Sequence, residues 1–324
     1  MATILDQLKK QTKIVADTGD FKSIVKYEPI DATTNPSLIF AAAKIPEYGC
    51  LIDDAVCYGK SKSKVLKEQL DYAMNKLIVN FGIEILKIIP GRVSTEVDAR
   101  FSFDKNTQIA KSLSIIQLYE ENGISRDRIL IKLSSTWEGI QAAAELEKKH
   151  KIHCNLTLLF AFCQAVACAD AGVTLISPFV GRIYDWHISK HGKKVYEIDE
   201  DPGVISVSII YKYYKKNEIK TEIMGASFRN VNQIIGLCGC DDLTISPALL
   251  EELNSMTMDI PVRLNKQAAK LDNVIPHKYE ISEAEFRFQL NEDEMATDKL
   301  SEGIRKFSAD ARSLENLLRV KLEK

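Results

Sequence analysis

Lys132 is the residue of this sequence that says most about chemistry. It stands at the centre of Arg128-Ile-Leu-Ile-Lys-Leu-Ser134, a β-branched and leucine-rich run. A lysine placed there either reaches water from a strand end or sits desolvated in a pocket. Desolvation disfavours the ammonium form, lowers the pKa and yields the neutral amine that a Schiff-base nucleophile needs. Two carboxylates are placed to work with it: Asp17 in Ile14-Val-Ala-Asp17 and Glu96 in Arg92-Val-Ser-Thr-Glu96-Val97. Each has apolar or small neighbours, and an amine with two carboxylates can move protons while carbon chemistry proceeds at an imine. A plainer role is open to both acids, since Asp17 before Thr18-Gly19-Asp20 has the pattern of a helix cap. Arg182 and Arg229, with Ser227 two residues before the second, offer guanidinium forks that bind phosphate bidentately or, alternatively, make surface salt bridges.

Other motifs point elsewhere. His187 and His191 have an i, i+4 spacing that suits a metal, but no third ligand accompanies them and Lys190, Lys193 and Lys194 surround them. A solvated helix face and no metal are expected. The run YKYYKK (211–216) mixes aromatic and basic residues as single-strand binders do, yet in a near-neutral chain it reads as an amphipathic helix face. Asn155-Leu-Thr157 has the form of a glycosylation sequon but lies within a strand pattern.

The elements that must hold these residues recur along the chain. Short apolar segments with one or two polar residues occur at 14–20, 29–37, 92–100, 128–136, 153–160, 174–182, 222–229 and 241–247, separated by helix-like stretches. Eight strand–helix alternations imply parallel strands with crossover helices, and eight closes a (β/α)8 TIM barrel. Strand parity then assigns faces. Ile129, Ile131 and Leu133 share an apolar face that belongs under the helices, which turns Leu130, Lys132 and Ser134 inward. The same alternation turns Asn155 and Thr157 inward, along with Ser94 and Glu96, towards the carboxyl ends of the strands where barrel enzymes place their chemistry. In the tail, Ala296, Leu300, Ile304, Phe307, Ala311, Leu314 and Leu318 form a helical stripe. They predict a long C-terminal helix outside the barrel, with Asn291 and Glu294 as its capping pair.

Composition sets the remaining bounds. With 43 basic and 45 acidic side chains among 324 residues, the net charge of −2 excludes the basic excess of a dedicated nucleic-acid binder. The first residues carry charge at once and lack the apolar stretch of a signal peptide, so the mature chain is expected to begin near Met1. The longest apolar run, Leu156 to Ala169, is too short and too interrupted to span a membrane and reads as a buried strand entering a helix. Seven cysteines without framework spacing suggest thiols serving as core residues in reducing cytoplasm. No linker or repeat interrupts the pattern, so residues 1–324 are expected to form a single barrel domain with a C-terminal helical extension.

Several longer motifs resemble the class I transaldolases: DATTNPS (31–37), VSTEVDAR (93–100), ILIKLSSTWEGI (129–140), CNLTLLF (154–160), ISPFVGRIYDW (176–186), MGASFRN (224–230) and NEDEMATDKLSEGIRKF (291–307). They occur in the family's order along almost the whole chain. The resemblance implies that Lys132 forms a Schiff base with a ketose C2 carbonyl and that Glu96 and Thr157, with a water, assist carbinolamine formation and dehydration. It implies further that Asp17 takes the C4 hydroxyl proton, that Asn35, Asn155 and Ser177 hold the dihydroxyacetone hydroxyls, and that Arg182, Ser227 and Arg229 hold phosphate. The expected substrates are sugar phosphates, and the expected state is a cytoplasmic homodimer without cofactor, metal, nucleic-acid or membrane partner. One alternative is a fructose 6-phosphate aldolase that releases free dihydroxyacetone. Phe179, on the inward parity of Ser177, offers neither water nor a proton donor and favours transfer over release. Another alternative is a catalytically silent barrel that binds sugar phosphates.

Overall fold

The computed structural model describes residues 2–192 and 195–324; Met1, Lys193 and Lys194 lie outside the described residues. Eight strands form the centre: β1 (Lys13–Asp17), β2 (Asp31–Thr33), β3 (Val93–Glu96), β4 (Ile129–Ser134), β5 (Cys154–Leu159), β6 (Leu175–Pro178), β7 (Glu222–Gly225) and β8 (Asp242–Ile245). They pair in parallel and in sequence order, and β8 returns to β1 to close the barrel. Each strand falls on one of the eight segments predicted from composition. Only β1 starts one residue earlier.

Parity is borne out by the packing. Ile129, Ile131 and Leu133 join the large core beneath the helices, whereas Val15, Leu130, Leu175 and Met224 form a separate small cluster inside the barrel. Lys132 shares its face with Leu130 and Asp17 shares its face with Val15, so both turn inward above that cluster. The alternation is interrupted at Leu158. This residue has a left-handed backbone, φ 52°, and the pairing of β5 with β6 shifts register between Leu156 and Leu159. A bulge at the rim of a barrel re-aims a side chain, and here Leu158 lies against Gly303 of the C-terminal helix.

That helix, Glu294–Leu322, buries the predicted stripe from Ala296 to Leu318. Two expectations about it are corrected. Its N-cap is Asp293, whose carboxylate accepts from the Ala296 amide, so Asn291 has no part in the cap. Nor does the helix merely lie outside the barrel. It crosses the carboxyl end, pinned by Trp186 to Asp298 at 2.9 Å at one end and by Ser37 to Asp310 further along, and it puts Phe307 at the barrel mouth. The thiol expectation holds for five cysteines, while Cys50 and Cys57, on helix Gly49–Lys62, are exposed. Tyr211, Tyr213 and Tyr214 are buried along helix Pro202–Lys216, and Lys215 bonds Asp241, so YKYYKK is a helix face. Among the described residues, no helix is long and apolar enough to cross a membrane.

Candidate active site

The strand register places the candidate groups side by side. Glu96 at the end of β3 is paired with Lys132 on β4, and Lys132 in turn with Asn155 on β5, while Ser134 is paired with Thr157. Lys132 is 4 % exposed. Its Nζ donates to the Thr34 carbonyl at 3.3 Å and stands 3.4 Å from Glu96 Oε2. That is an ion-pair contact without hydrogen-bond alignment, so both Glu96 carboxylate oxygens are left without a hydrogen-bond partner among the described residues, as is Thr157 Oγ1. Burial pushes the Glu96 pKa up to about 7 against the pull of Lys132. Buried polar atoms left unsatisfied in a native fold are costly and mark a place where something polar is meant to sit.

Asp17 is half-buried and open to the mouth. It accepts from Thr33 Oγ1 at 2.9 Å, and Thr33 meets Thr244 at 2.6 Å, so β2 and β8 fix its orientation. Surrounding protein raises its pKa above the ordinary carboxylate value, with Lys132 opposing the rise. Across the barrel, Asn155 Nδ2 donates to Ser94 Oγ at 3.0 Å and Ser177 Oγ donates to Asn155 Oδ1 at 2.6 Å. This chain holds the Asn155 amide in one orientation. Asn35 caps helix Pro36–Ala42 through Oδ1 to the Leu38 amide at 2.9 Å and lines the mouth with Lys132, Asp17 and Ser177.

The outer part of the mouth is cationic. The Arg182 guanidinium lies between two rings, 4.8 Å from the centre of Phe179 and 5.1 Å from that of Phe307. Phe179 packs edge-on against Phe160 at 5.7 Å, which fixes its ring. Burial, and then the like charge of Arg229, lower the Arg182 pKa from its ordinary value. Two guanidiniums held together at the rim of a pocket make an anion site. Arg229 is exposed and forks onto the Asp185 carboxylate, with Nη2 to Oδ2 at 2.7 Å, while its Nη1 donates to the Ser227 carbonyl at 3.0 Å. Ser227 has φ 62°, a strained conformation for a residue with a Cβ and one that clusters at ligand sites. Gly181 allows this approach, because a side chain there would run into the Ser227 carbonyl.

All eleven residues singled out in the sequence therefore converge on one end of the barrel, although Glu96, Asn155, Thr157 and Arg229 do not line the mouth itself. His187 and His191 meet Trp186 edge-on along helix Val180–His191. No group of three or more His, Cys, Asp or Glu suited to a metal occurs among the described residues. Thr33, Asp185 and Phe307 were missed. Thr33 has the inward parity of Asp31 and was legible on that ground, but Asp185 reads as a solvated helix residue and Phe307 as one more member of an apolar stripe.

Comparison with known proteins decides what kind of barrel this is. The family model described as transaldolase/fructose-6-phosphate aldolase matches residues 14–318. The chain is a member of that family. The match takes in all eight strands except Lys13, the first residue of β1, and all eleven residues of the candidate site. Among curated relatives, the transaldolase of Rattus norvegicus is 60 % identical over 318 residues, 98 % of this chain and 94 % of its own. The transaldolase of Homo sapiens is 59 % identical over the same coverage, and that of Saccharomyces cerevisiae 60 % identical over 98 % of this chain and 95 % of its own. Within the transaldolase/fructose-6-phosphate aldolase family, likeness at this level runs through the barrel and the C-terminal helix alike.

Proposed function

We infer that the protein is a transaldolase, a transferase that moves a dihydroxyacetone unit between sugar phosphates through a Schiff base on Lys132. The observation that carries the reading is the buried Lys132 amine, 3.4 Å from a Glu96 carboxyl and sharing its pocket with Asp17 and Arg182. In its neutral form the amine attacks the ketose C2 carbonyl. The resulting carbinolamine loses its hydroxyl as water when Glu96 supplies a proton, with Thr157 orienting the water concerned. Asp17 then takes the C4 hydroxyl proton and the C3–C4 bond breaks. The released aldose phosphate departs, and the carbanion of the retained three-carbon unit is delocalised into the protonated imine. Addition to an acceptor aldose phosphate reverses these steps. Asn35, Asn155 and Ser177 hold the hydroxyls of the retained unit, and Arg182, Ser227 and Arg229 hold phosphate, for which Asp185 must yield part of the Arg229 fork. The imine is the electron sink, so the chemistry calls for no metal or other cofactor.

The donors and acceptors proposed are fructose 6-phosphate with erythrose 4-phosphate, and sedoheptulose 7-phosphate with glyceraldehyde 3-phosphate. Incubation with the first pair and detection of sedoheptulose 7-phosphate tests the reading. A bound but unreacted pair overturns it in favour of a silent sugar-phosphate barrel. The aldolase reading is separated by omitting the acceptor. Phe179, locked against Phe160 and under Arg182, brings no proton donor to the carbanion, so little free dihydroxyacetone is expected, and release as fast as transfer contradicts this assignment. The same proposal places the enzyme in the cytoplasm as a homodimer of one-domain chains (residues 1–324). Sedimentation of the purified protein at twice the chain mass is the expected result.

A further inference from the structure

A larger cavity lies beside the mouth. It encloses about 600 Å³, against about 40 Å³ of free space at the mouth. It runs between helices Leu66–Leu86 and Lys105–Glu121 under the C-terminal helix. Its outer rim carries the exposed Lys67 and Asp71, Asn75 and Arg100 stand along it, and its inner end is formed by the buried Thr34 and Glu96. The two spaces divide the reacting groups between them. Lys132, Asp17 and Ser177 line the mouth, Glu96 lines the side cavity, and Asn35 belongs to both walls. The 3.4 Å contact between Lys132 and Glu96 is where the two spaces meet.

Imine chemistry gives this division a use. Each full cycle releases one water when the carbinolamine dehydrates and takes up one when the imine is hydrolysed. A sugar phosphate seated over Lys132 and Arg182 occupies the mouth and closes that side to water. We propose that the side cavity is the route by which water, and the proton exchanged with it, reaches and leaves Glu96 while substrate occupies the mouth. On dehydration the protonated Glu96 gives its proton to the C2 hydroxyl, the C–O bond breaks with its electron pair on oxygen, and the water formed departs through the cavity. On hydrolysis a water entering by the same route adds to C2 as Glu96 takes its proton. The polar groups along the passage give such water hydrogen-bond partners, and the orphaned oxygens of Glu96 mark its inner terminus. The proposal rests on the Schiff-base reading of Lys132.

The test fills the cavity from its wall without touching the reacting groups. Met74 is half-buried, lines the cavity and has no contact role in the mouth. Met74→Trp, with filling verified by a crystal structure, is compared with the unaltered enzyme in H₂¹⁸O with fructose 6-phosphate and no acceptor. The measured quantities are ¹⁸O entry into the C2 carbonyl and the rate at which Lys132 becomes trappable by borohydride. Both are expected to slow by about tenfold or more, while the final extent of trapping stays unchanged, since a blocked passage alters the rate of imine formation and not its equilibrium. Unaltered ¹⁸O entry in a variant whose cavity is filled overturns the proposal. Absence of trapping in the unaltered enzyme strikes the Schiff-base reading instead. If Met74→Trp does not fold, Ile78→Phe, one turn along the same wall, replaces it with the same two outcomes.

Discussion

Glu96 owes its raised pKa to burial, and the value of about 7 gives the reaction a pH signature. Below that value the carboxyl is protonated and can give a proton to the departing hydroxyl; above it the carboxylate can only accept. The rate of imine formation, sampled by timed borohydride quenching, should therefore fall as pH rises through about 7. Glu96→Gln should abolish that limb and lower the plateau by about 10²–10³. A limb that survives in Glu96→Gln assigns it to another group. Arg182 offers a second expectation. Losing one charge-assisted phosphate contact costs about 2 kcal/mol, so Arg182→Gln should raise KM for fructose 6-phosphate by roughly thirtyfold and leave the rate measured with unphosphorylated fructose nearly unchanged. At this scale the inward placement of Lys132, Asp17 and Glu96 was legible because an ionisable side chain on the inward parity of an apolar strand has few structural uses. Phe307 and Asp185 were not, because an aromatic in a helical stripe and an acid on a helix look the same whether or not a ligand lies beside them.

Gly303 shows how one element is fitted to another across the site. A Cβ there would lie 2.6 Å from Leu158 Cδ2 and 3.1 Å from Arg182 Nη1, so the C-terminal helix approaches the mouth this closely only through glycine. Glycine costs a helix interior about 1 kcal/mol relative to alanine, and the close packing of the helix against Leu158 offsets that cost. Gly303→Val should lower stability by about 1–3 kcal/mol through overpacking and raise KM by displacing Arg182; chemical denaturation and steady-state kinetics read the two effects. Unchanged stability and KM would show that the helix seats independently of this residue. The strands were readable from apolar segments of the right length, and the long helix from its stripe. Its path over the mouth was not, since a stripe states that a face is buried without saying against what, and the left-handed Leu158 carries no sign in a run of leucines.

The whole barrel has a closed polar end as well as a reacting one. At the amino ends of the strands, Lys13 bridges Asp31, Glu222 and the fully buried Asp242 at 3.2, 3.1 and 2.8 Å, and Arg92 meets Asp31 and Glu222. Burial works to raise the Glu222 pKa, but Arg92 and Lys13 together hold it below its ordinary value. Its stabilising contribution is therefore present above the ordinary glutamate pKa and is lost as acid titrates the folded carboxylate. Removing the cation strands buried carboxylates, so Lys13→Met should cost about 3 kcal/mol, seen as a lower Tm, with kcat unaltered because the change lies at the opposite end from Lys132. A kcat that falls with the Tm would mean that the two ends are coupled. The barrel was readable because its segments numbered eight, and net charge was silent about anionic substrates because the proposed phosphate site needs only two local arginines. The central claim is covalent. Treatment with fructose 6-phosphate and sodium borohydride, followed by peptide mass spectrometry, should find a reduced dihydroxyacetone adduct on Lys132 that disappears in a folded Lys132→Arg variant. An unmodified Lys132 at saturating substrate, or an adduct on another lysine, contradicts it.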